Sequence, residues 1–258
     1  MSRIDVWLNE SGMGKVVRQE SVGGGCINNS ERLHLDSGLT VFLKQNSAAP
    51  VDMFQAEAIG LQALAARNAI KIPDVIHWEE DFLLIEDLGQ GSTSYSFWKS
   101  LGEGLAKLHS ETIPQFGFSR DNYCGSTSQE NTITDDGFEF FANYRILKTR
   151  LFGISSQFIR KQDLTALESI AANLSHLIPP QDAVLIHGDL WSGNIHCAES
   201  GDAALIDPAV YWGWAEGELA MTDLFGVFPI SSMKATKAIP ILLKIGASGF
   251  RSTIFFTC

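Results

Sequence analysis

The sequence predicts an α+β fold of two lobes: a small lobe built on a five-stranded antiparallel sheet with one helix, and a large lobe that is mainly helical. The first observation is a set of short apolar or alternating segments within residues 1–88, the pattern of strands. The second is a set of apolar stripes at helical spacing within residues 89–228, typical of helices that bury one face. Residues 229–258 have neither pattern, so we expect an atypical tail there.

The small lobe is predicted from the order of its elements along the chain. Phe54, Leu61 and Leu64 recur at helical spacing, which predicts a helix over residues 52–68, and Glu57 falls within this apolar stripe. Segments rich in β-branched, aromatic or alternating apolar residues predict the strands. These strands span residues 15–22, 30–35, 39–44, 75–78 and 82–85.

Lys44 ends the third predicted strand, and alternation places it on the same face as Thr40 and Phe42. A carboxylate on the buried face of a helix is costly unless a cation pairs with it, and Glu57 is such a carboxylate. We therefore expect an ion pair between Lys44 and Glu57. The alternative is an exposed lysine at the end of a strand.

Two stretches of the small lobe have the composition of nucleotide contacts. Between the first two strands, three consecutive glycines let the backbone approach a ligand closely, and consecutive N–H groups can bind phosphate oxygens. After the fifth strand, freed backbone groups of a connector to the large lobe can bind the edge of adenine. A glycine-rich hairpin turn and a charged loop are the respective alternatives. The residues concerned are Gly23, Gly24 and Gly25 in the glycine loop and Glu86, Asp87 and Leu88 in the connector.

The most informative motif is His187-Gly188-Asp189-Leu190-Trp191-Ser192-Gly193-Asn194, which follows the apolar run 184–186; a second apolar run, 203–206, ends at Asp207. Loops after strands thus carry a carboxylate, an amide and a second carboxylate. Phosphoryl transfer from a nucleotide needs this set, because one Asp accepts the proton of the attacking hydroxyl while an Asn and another Asp hold Mg²⁺. The spacing from Asp189 to Asn194 is that of protein-kinase catalytic loops. Taken alone, each residue is more often an ordinary turn or strand-end residue.

The large lobe is predicted to be mainly helical, with Ser96 as the cap of its first helix. A long polar and aromatic segment, 116–127, separates the first two helices and is the candidate wall of the acceptor pocket. A last helix is predicted over residues 219–225. The apolar stripes are Phe97, Leu101, Leu105 and Leu108 in the first helix, Phe140, Tyr144, Leu147 and Leu151 in the second, and Leu164, Leu167, Ile170, Leu174 and Leu177 in the third.

Composition and charge exclude several classes of protein. The 258 residues are 45% hydrophobic, enough for one large domain or two lobes with a buried core. The 19 basic residues against 30 acidic ones give a net charge of −11, which argues against nucleic acid or an anionic membrane as a partner. The first residues lack the apolar core of a signal peptide, and no run of about 18 apolar residues would span a bilayer, so we expect a cytoplasmic protein. The 4 cysteines lie far apart and indicate neither a zinc site nor a disulfide scaffold.

Several motifs, taken in order, give the chain a resemblance to the fructosamine (ketosamine) kinases, a branch of the aminoglycoside and choline kinase group. They are Gly-Gly-Gly-Cys-Ile-Asn at 23–28, Phe-Gly-Phe with Asp-Asn-Tyr and Gly-Ser-Thr at 116–127, the motif at 187–194, and Asp-Pro-Ala-Val-Tyr-Trp-Gly at 207–213. Leu-Trp-Ser within the third string is the part most specific to this branch. The resemblance covers roughly residues 1–228 and implies a protein-kinase-like fold.

The resemblance also implies an activity, the ATP-dependent phosphorylation of the sugar 3-hydroxyl of a ketosamine, which is a sugar joined by glycation to a protein or a small amine. The product is unstable and sheds the sugar, so the implied role is deglycation. The residues that would take the family's roles are Asp189 as the catalytic base, Asn194 and Asp207 as Mg²⁺ ligands, Lys44 with Glu57 as the pair that orients the phosphates of ATP, and Glu86 to Leu88 as the adenine connector.

Four residues add to the resemblance or depart from it. Trp191 either flanks the sugar or is a buried aromatic without a ligand. Glu218 stands where the family usually has Asp, and we expect it to brace the catalytic loop. Cys26 is either a small apolar filler or a thiol whose oxidation or intersubunit disulfide would distort the glycine loop. After Phe228 nothing resembles the family's further helices; a shifted reading frame near that point would leave part of the large lobe missing.

Three functions therefore fit the sequence. The leading one is a ketosamine 3-kinase that uses ATP and Mg²⁺. The second is a kinase of another small hydroxyl acceptor, such as an aminoglycoside, and the third is an inactive remnant that binds nucleotide or nothing. The preferred ketosamine, its free or protein-bound state, and assembly as a monomer or a homodimer stay open at this point.

Overall fold

The computed structural model describes residues 2–23, 28–148 and 161–224 of the chain. Over these residues it has the predicted α+β architecture, with a five-stranded antiparallel sheet in the small lobe and helices with short strands in the large lobe. The division of the chain at residues 88 and 228 stays a prediction. The expected tail, 229–258, and Cys26 lie outside the described residues.

The small lobe is an antiparallel sheet packed between two helices. Its elements are α1 (Arg3–Glu10), β1 (Val16–Val22), β2 (Asn29–Leu35), β3 (Thr40–Gln45), α2 (Met53–Ala65), β4 (Val75–Trp78) and β5 (Phe82–Glu86). The strand order is β1-β2-β3-β5-β4. All five predicted strands and the predicted helix are present, with ends that differ by at most three residues. Alternation holds as expected, since Val41 and Leu43 face one helix and Phe42 faces the other.

Helix α1 is missing from the prediction, although the sequence contains its start signal. The Ser2 hydroxyl accepts from the Asp5 N–H at 3.1 Å, and the Asp5 carboxylate accepts from the Ser2 N–H at 2.9 Å, which is a capping box. Ile4 and Leu8 are buried against the face of the sheet that carries Leu84. The helix therefore covers the side of the sheet that faces away from α2.

The large lobe combines helices with three small groups of strands. Its elements are α3 (Tyr95–Leu108), β6 (Thr112–Ile113), β7 (Asn122–Cys124), β8 (Thr127–Gln129), α4 (Gly137–Phe140), a π-helical segment (Phe141–Ile146), α5 (Lys161–Leu177), β9 (Ala183–Ile186), a 3₁₀ turn (Ser192–Asn194), β10 (Ile195–Cys197), β11 (Ala203–Leu205), β12 (Tyr211–Gly213) and α6 (Ala215–Leu224). The strands pair as β12-β9-β6, β10-β11 and β7-β8. None of the helices in the described ranges combines the length and apolar character needed to cross a membrane.

One hydrophobic cluster joins the two lobes. Phe54 and Leu61 of α2 lie in the same cluster as Leu105 of α3 and Val210, which precedes β12. Gly60 permits this contact, because a Cβ atom there would lie 3.2 Å from Val210 Cγ2. Helix α2, which carries Glu57, thus packs directly on the segment that follows Asp207.

The first helix of the large lobe begins earlier than predicted. Its cap is Ser94 and not Ser96, because Ser94 has extended backbone angles and its hydroxyl accepts from the Phe97 N–H at 3.2 Å, whereas Ser96 lies within the first turn. The predicted stripe is correct, and every member of it is buried. These residues are Phe97, Leu101, Leu105 and Leu108.

The other helices of the large lobe differ from the prediction in detail. The second predicted helix is a short α-helix that continues as a π-helical segment, and Leu151 lies outside the described residues. In the third, Leu177 is 37% exposed while the following Ile178 is 8% exposed, so the inward position belongs to Ile178. The last helix begins at Ala215 rather than at residue 219.

Candidate active site

A cavity of about 810 Å³ lies between the lobes, and the predicted catalytic and metal-binding residues line it. Lys44 and Glu57 reach it from β3 and α2 of the small lobe. In the large lobe, Asp189 reaches it from the loop after β9, Asn194 from the 3₁₀ turn and Asp207 from the segment after β11. Residues far apart in sequence are therefore brought to one site by the packing of α2 on the large lobe.

Lys44, Glu57 and Asp207 form a charged cluster at the back of this cavity. Lys44 Nζ lies 2.5 Å from Glu57 Oε1 and 2.8 Å from Asp207 Oδ1. The side chains of Lys44 and Glu57 are only 5% and 12% exposed, so these charges are held away from bulk water. The expected ion pair of Lys44 with Glu57 is thus in place. Asp207 is a second partner of Lys44, which spacing along the chain did not predict.

The electrostatics of the charged cluster follow from two carboxylates around one cation. Burial lowers the pKa of Lys44, but Asp207 and Glu57 outweigh this effect and the net pKa is raised, so the ammonium stays charged. Burial raises the pKa of Glu57, with Lys44 acting in the opposite direction and Asp207 adding to the increase. One cation does not neutralise two acids. The cluster therefore has a surplus of negative charge that a bound cation would offset.

Asn194 is oriented by the catalytic loop itself, residues 187–194. Its Nδ2 donates to the Asp189 backbone oxygen at 2.8 Å and to Asp189 Oδ2 at 2.9 Å, and it lies 3.4 Å from the Asp207 backbone oxygen. All three partners are acceptors, so the amide nitrogen must face them. The Asn194 Oδ1 atom is consequently left as the acceptor available to a cation.

Buried polar groups hold the catalytic loop. His187 Nε2 donates to the Ile206 backbone oxygen at 2.8 Å, and the His187 backbone oxygen accepts from the Ala209 N–H at 2.9 Å. Gly188 has a φ of +82°, and a Cβ atom there would lie 2.0 Å from the Ala209 oxygen, so only glycine fits. These contacts fasten the loop to the segment around Asp207.

Glu218 of α6 braces the same loop. Its carboxylate accepts from the Gly188 N–H at 3.0 Å and from His109 Nε2 at 2.9 Å. The residue is only 2% exposed. It occupies the bracing position expected from the sequence, although His109 of the neighbouring α3–β6 connection was not foreseen as its partner.

The connector of residues 86–88 lines the cavity with side chains that are already paired. The Glu86 carboxylate binds Lys71 Nζ at 2.7 Å, and the Asp87 carboxylate binds Arg32 Nε at 2.8 Å. The Leu88 backbone oxygen accepts from the Glu199 N–H at 2.8 Å. Adenine would therefore have to be bound by the other backbone groups of the connector.

The glycine loop is described only in part. Gly23 lines the cavity, whereas Gly24 and Gly25 lie outside the described residues. Asn28, at the other end of the loop, also lines the cavity, and its Oδ1 accepts from Asn46 Nδ2 at 3.3 Å. The position of the loop between β1 and β2 is the predicted one, and its phosphate contacts stay a prediction.

One wall of the cavity is formed by residues 122–127, the second half of the segment that the sequence singled out at 116–127, and its role as the acceptor wall stays a prediction. Tyr123 and the tip of the β7–β8 hairpin line the cavity, together with Trp191 and Met221. Tyr123 also reaches the small lobe, because its hydroxyl donates to Asp52 Oδ1 at 2.6 Å. Burial and the Asp52 carboxylate raise the pKa of Tyr123 to about 12, so the hydroxyl stays protonated and donates.

Comparison with known proteins decides the family. The family model described as "Fructosamine kinase" matches residues 2–242 of this chain. The chain belongs to the fructosamine kinase family. A probable ketoamine kinase of Synechocystis is 36% identical over 224 residues, covering 83% of this chain and 74% of the relative. The chloroplastic protein-ribulosamine 3-kinase of Oryza sativa subsp. indica is 34% identical over 227 residues, and this chain spans only 65% of its length.

Solved structures agree with the family assignment. A fructosamine-3-kinase-like protein from Thermobifida fusca superposes with a TM-score of 0.84 at 28% identity, covering 98% of this chain and 88% of that one. A gentamicin-bound aminoglycoside phosphotransferase has a TM-score of 0.61 at 12% identity, covering 98% of this chain and 85% of that one, and so shares the fold. The comparisons confirm the predicted kinase-like fold and the kinase class of enzyme, whose phosphoryl donor is ATP. The family model also extends beyond residue 228, the point at which the motifs end.

The residues of this fructosamine kinase family member fit Mg²⁺, the metal implied for its nucleotide. Asn194 offers an amide oxygen and Asp207 a carboxylate oxygen, and Mg²⁺ prefers hard oxygen ligands of this kind. The surplus of negative charge in the charged cluster also favours a cation. Within the described ranges no group of three or more His, Cys, Asp or Glu side chains could hold a metal ion by itself.

Proposed function

We propose that this chain is an ATP-dependent kinase that phosphorylates the sugar 3-hydroxyl of ketosamines. The observation that carries the proposal is the convergence of Lys44 and Glu57 from one lobe with Asp189, Asn194 and Asp207 from the other on a single cavity. Ketoamine and ribulosamine kinases among the relatives support the substrate class.

In this proposal Asp189 orients the acceptor hydroxyl and accepts its proton while the hydroxyl oxygen attacks the γ-phosphorus of ATP. The bond from the γ-phosphorus to the bridging oxygen breaks, and ADP leaves with that electron pair. Lys44, held by Glu57, binds the phosphates. Asn194 and Asp207 would hold Mg²⁺, which when bound offsets the negative charge of the ATP phosphates.

The acceptor lies, in this proposal, between Asp189 and the wall formed by Tyr123 and the β7–β8 hairpin. Trp191 is the candidate to pack on the sugar, because an aromatic face fits the apolar side of a sugar ring. The phosphorylated ketosamine then sheds its sugar, which makes the role one of deglycation. A cytoplasmic location stays a prediction, and one rice relative is chloroplastic.

The proposal is tested by measuring ADP release from MgATP with ribulosamine, fructosamine and aminoglycoside acceptors. We expect turnover with a ketosamine and a phosphate on the sugar 3-oxygen by NMR. Asp189→Asn is the matched control, because it keeps the size of the side chain and should lower kcat by about 10²–10⁴-fold.

Other outcomes have distinct meanings. Turnover with an aminoglycoside alone would assign the chain to the second function. Absence of both turnover and thermal stabilisation by MgATP would favour the inactive remnant.

A further inference from the structure

The segment that follows Asp207 is held by two buried amides of the β7–β8 hairpin. Asn122 Nδ2 donates to the Val210 backbone oxygen at 2.7 Å, and Gln129 Nε2 donates to the Ala209 backbone oxygen at 3.1 Å. Gln129 Nε2 also donates to Asn122 Oδ1 at 2.8 Å. The two side chains thus form one connected unit, which we name the amide clamp.

The amide clamp is a built feature of the interior. Asn122 and Gln129 are 5% and 7% exposed, and they are directly paired residues at the open end of the hairpin. Ala209 and Val210 are fully buried, so their backbone oxygens have little access to water. A buried carbonyl that loses its donor is costly, which makes these hydrogen bonds specific constraints on the backbone.

Asp207 needs such constraints. Its φ is +56°, in the left-handed region that residues other than glycine uncommonly adopt, with Asp among the more tolerant of them. Such a conformation persists only where the surroundings over-determine it. On one side the backbone N–H of Ile206 donates to the Asn194 oxygen at 3.1 Å, and on the other the Ala209 N–H donates to His187. The amide clamp fixes the next two carbonyls along the chain.

We propose that Asn122 and Gln129 are positioning residues that set the Asp207 carboxylate for Mg²⁺ and the nucleotide. The inference rests on the proposed role of Asp207. Gln129 is not among the residues that line the cavity, so its effect must pass through the backbone at Ala209 and through Asn122. The hairpin that forms the acceptor wall and the acid that holds the metal are, in this account, parts of one rigid unit.

The test compares three isolated changes in the full chain. Gln129→Met keeps the length of the side chain and removes the donor, and Asn122→Leu keeps the approximate size, removes the donor to Val210 and adds no charge to the cavity. Asn131→Leu is the matched control, because Asn131 is 1% exposed, donates to the Arg120 backbone oxygen at 3.1 Å and accepts from Arg145, and neither partner belongs to the 209–210 segment. All three should lower the melting temperature.

The decisive measurement is a Mg²⁺ titration of thermal stabilisation in the presence of a non-hydrolysable ATP analogue, with kcat measured in parallel. We expect the Mg²⁺ midpoint to rise about tenfold in Asn122→Leu, the low end of the range for residues that orient metal ligands. The rise should be smaller, about threefold, in Gln129→Met, which acts through Asn122 and the backbone, and the midpoint should stay unchanged in Asn131→Leu.

If the melting temperature falls in all three variants but the Mg²⁺ midpoint does not move, the inference is overturned and the clamp is merely structural. The proposed function is not affected by this result. A wild-type chain that gains no Mg²⁺-dependent stabilisation and no turnover would overturn the proposed function, and the inference with it.

Discussion

Asp207 lies between two regions, the charged cluster and the amide clamp, which satisfy their buried polar groups in different ways. On the small-lobe side, the charged cluster pairs the ammonium of Lys44 with two carboxylates and has a charge surplus. On the large-lobe side, the amide clamp joins the neutral groups of Asn122 and Gln129 to backbone oxygens. In the proposed function, charges lie where a cation and phosphates bind and leave, and neutral amides lie where the backbone must stay fixed. The comparison teaches that one site can use charged groups where ligands bind and neutral hydrogen bonds where the backbone is fixed.

The largest effect should come from removing the cation of the charged cluster. Lys44→Met leaves Glu57 buried without its ammonium partner and removes the proposed contact with the phosphates of ATP. We expect kcat to fall by about 10²–10³-fold, as when one stabilising donor is lost from an active site, and stability to fall by roughly 3 kcal/mol, the low end for breaking a buried ion pair. Steady-state kinetics and chemical denaturation measure the two effects.

The pH dependence of Lys44→Met sharpens the same point. Burial raises the pKa of Glu57 in the folded state, and Lys44 is the group that opposes the increase. The folded variant should thus bind a proton more tightly than the unfolded chain, so its stability is highest below the ordinary carboxyl pKa and is lost as pH rises through the folded pKa. Glu57→Gln, which removes the titrating group, is the control, and an equal pH profile in both variants would contradict the assignment.

An intermediate effect is expected at Glu218, whose buried carboxylate accepts from Gly188 and His109. Glu218→Gln keeps the size of the side chain but weakens the acceptor for Gly188 and His109. We expect kcat to fall by about tenfold, because a hydrogen bond to a charged group contributes roughly 1.5–3 kcal/mol, with the KM for ATP little changed. Glu216→Gln is a matched control nearby, since Glu216 is also buried and accepts from Gln181 at 3.0 Å. Equal losses in both variants would argue against bracing of the loop.

Much of the small lobe was predictable because its structure follows from local repetition. Period-two and helical patterns gave five strands, a helix and the ion pair of Lys44 with Glu57, all within short stretches of chain. The geometry of the motif 187–194 is likewise set locally, since Asn194 donates a hydrogen bond to Asp189, five positions before it. Residues that act with near neighbours leave a pattern in sequence.

The amide clamp could not be found in this way. Asn122 and Val210 are 88 positions apart, and no spacing rule connects an amide with a backbone oxygen so distant. The same holds for Asp207 and Lys44, which are 163 positions apart. Helix α1 is different, because its capping box is a local signal that the sequence contains. The helix is therefore predictable from sequence, whereas the clamp requires the tertiary structure.

The smallest effect should come from the exposed contact between the lobes, in which Asp52 accepts from Tyr123 at 2.6 Å and from Arg120 at 3.0 Å. The Tyr123 hydrogen bond lowers the pKa of Asp52, burial acts in the opposite direction, and Arg120 lowers it further. A lowered pKa means that the stabilisation is present above the ordinary carboxyl pKa and is lost as pH falls through the folded value. Tyr123→Phe and Asp52→Asn should each cost about 1 kcal/mol or less at pH 7, because the carboxylate is partly exposed.

Thermal melts at pH 7 and pH 3 check this last prediction. The difference between wild type and Asp52→Asn should shrink at the lower pH. A difference that stays constant between the two pH values would show that the Asp52 carboxylate does not hold the lobes together.

Asn194 shows why an amide, and not an acid, completes this centre. Its nitrogen points at the oxygens of Asp189 while its oxygen is left to face a cation. A carboxylate in that place would repel the very base beside it, and a hydroxyl is too short to reach in both directions. A primary amide presents a positive pole to one neighbour and a negative pole to the other, and in the proposed mechanism it thereby separates the proton acceptor from the metal without itself changing charge.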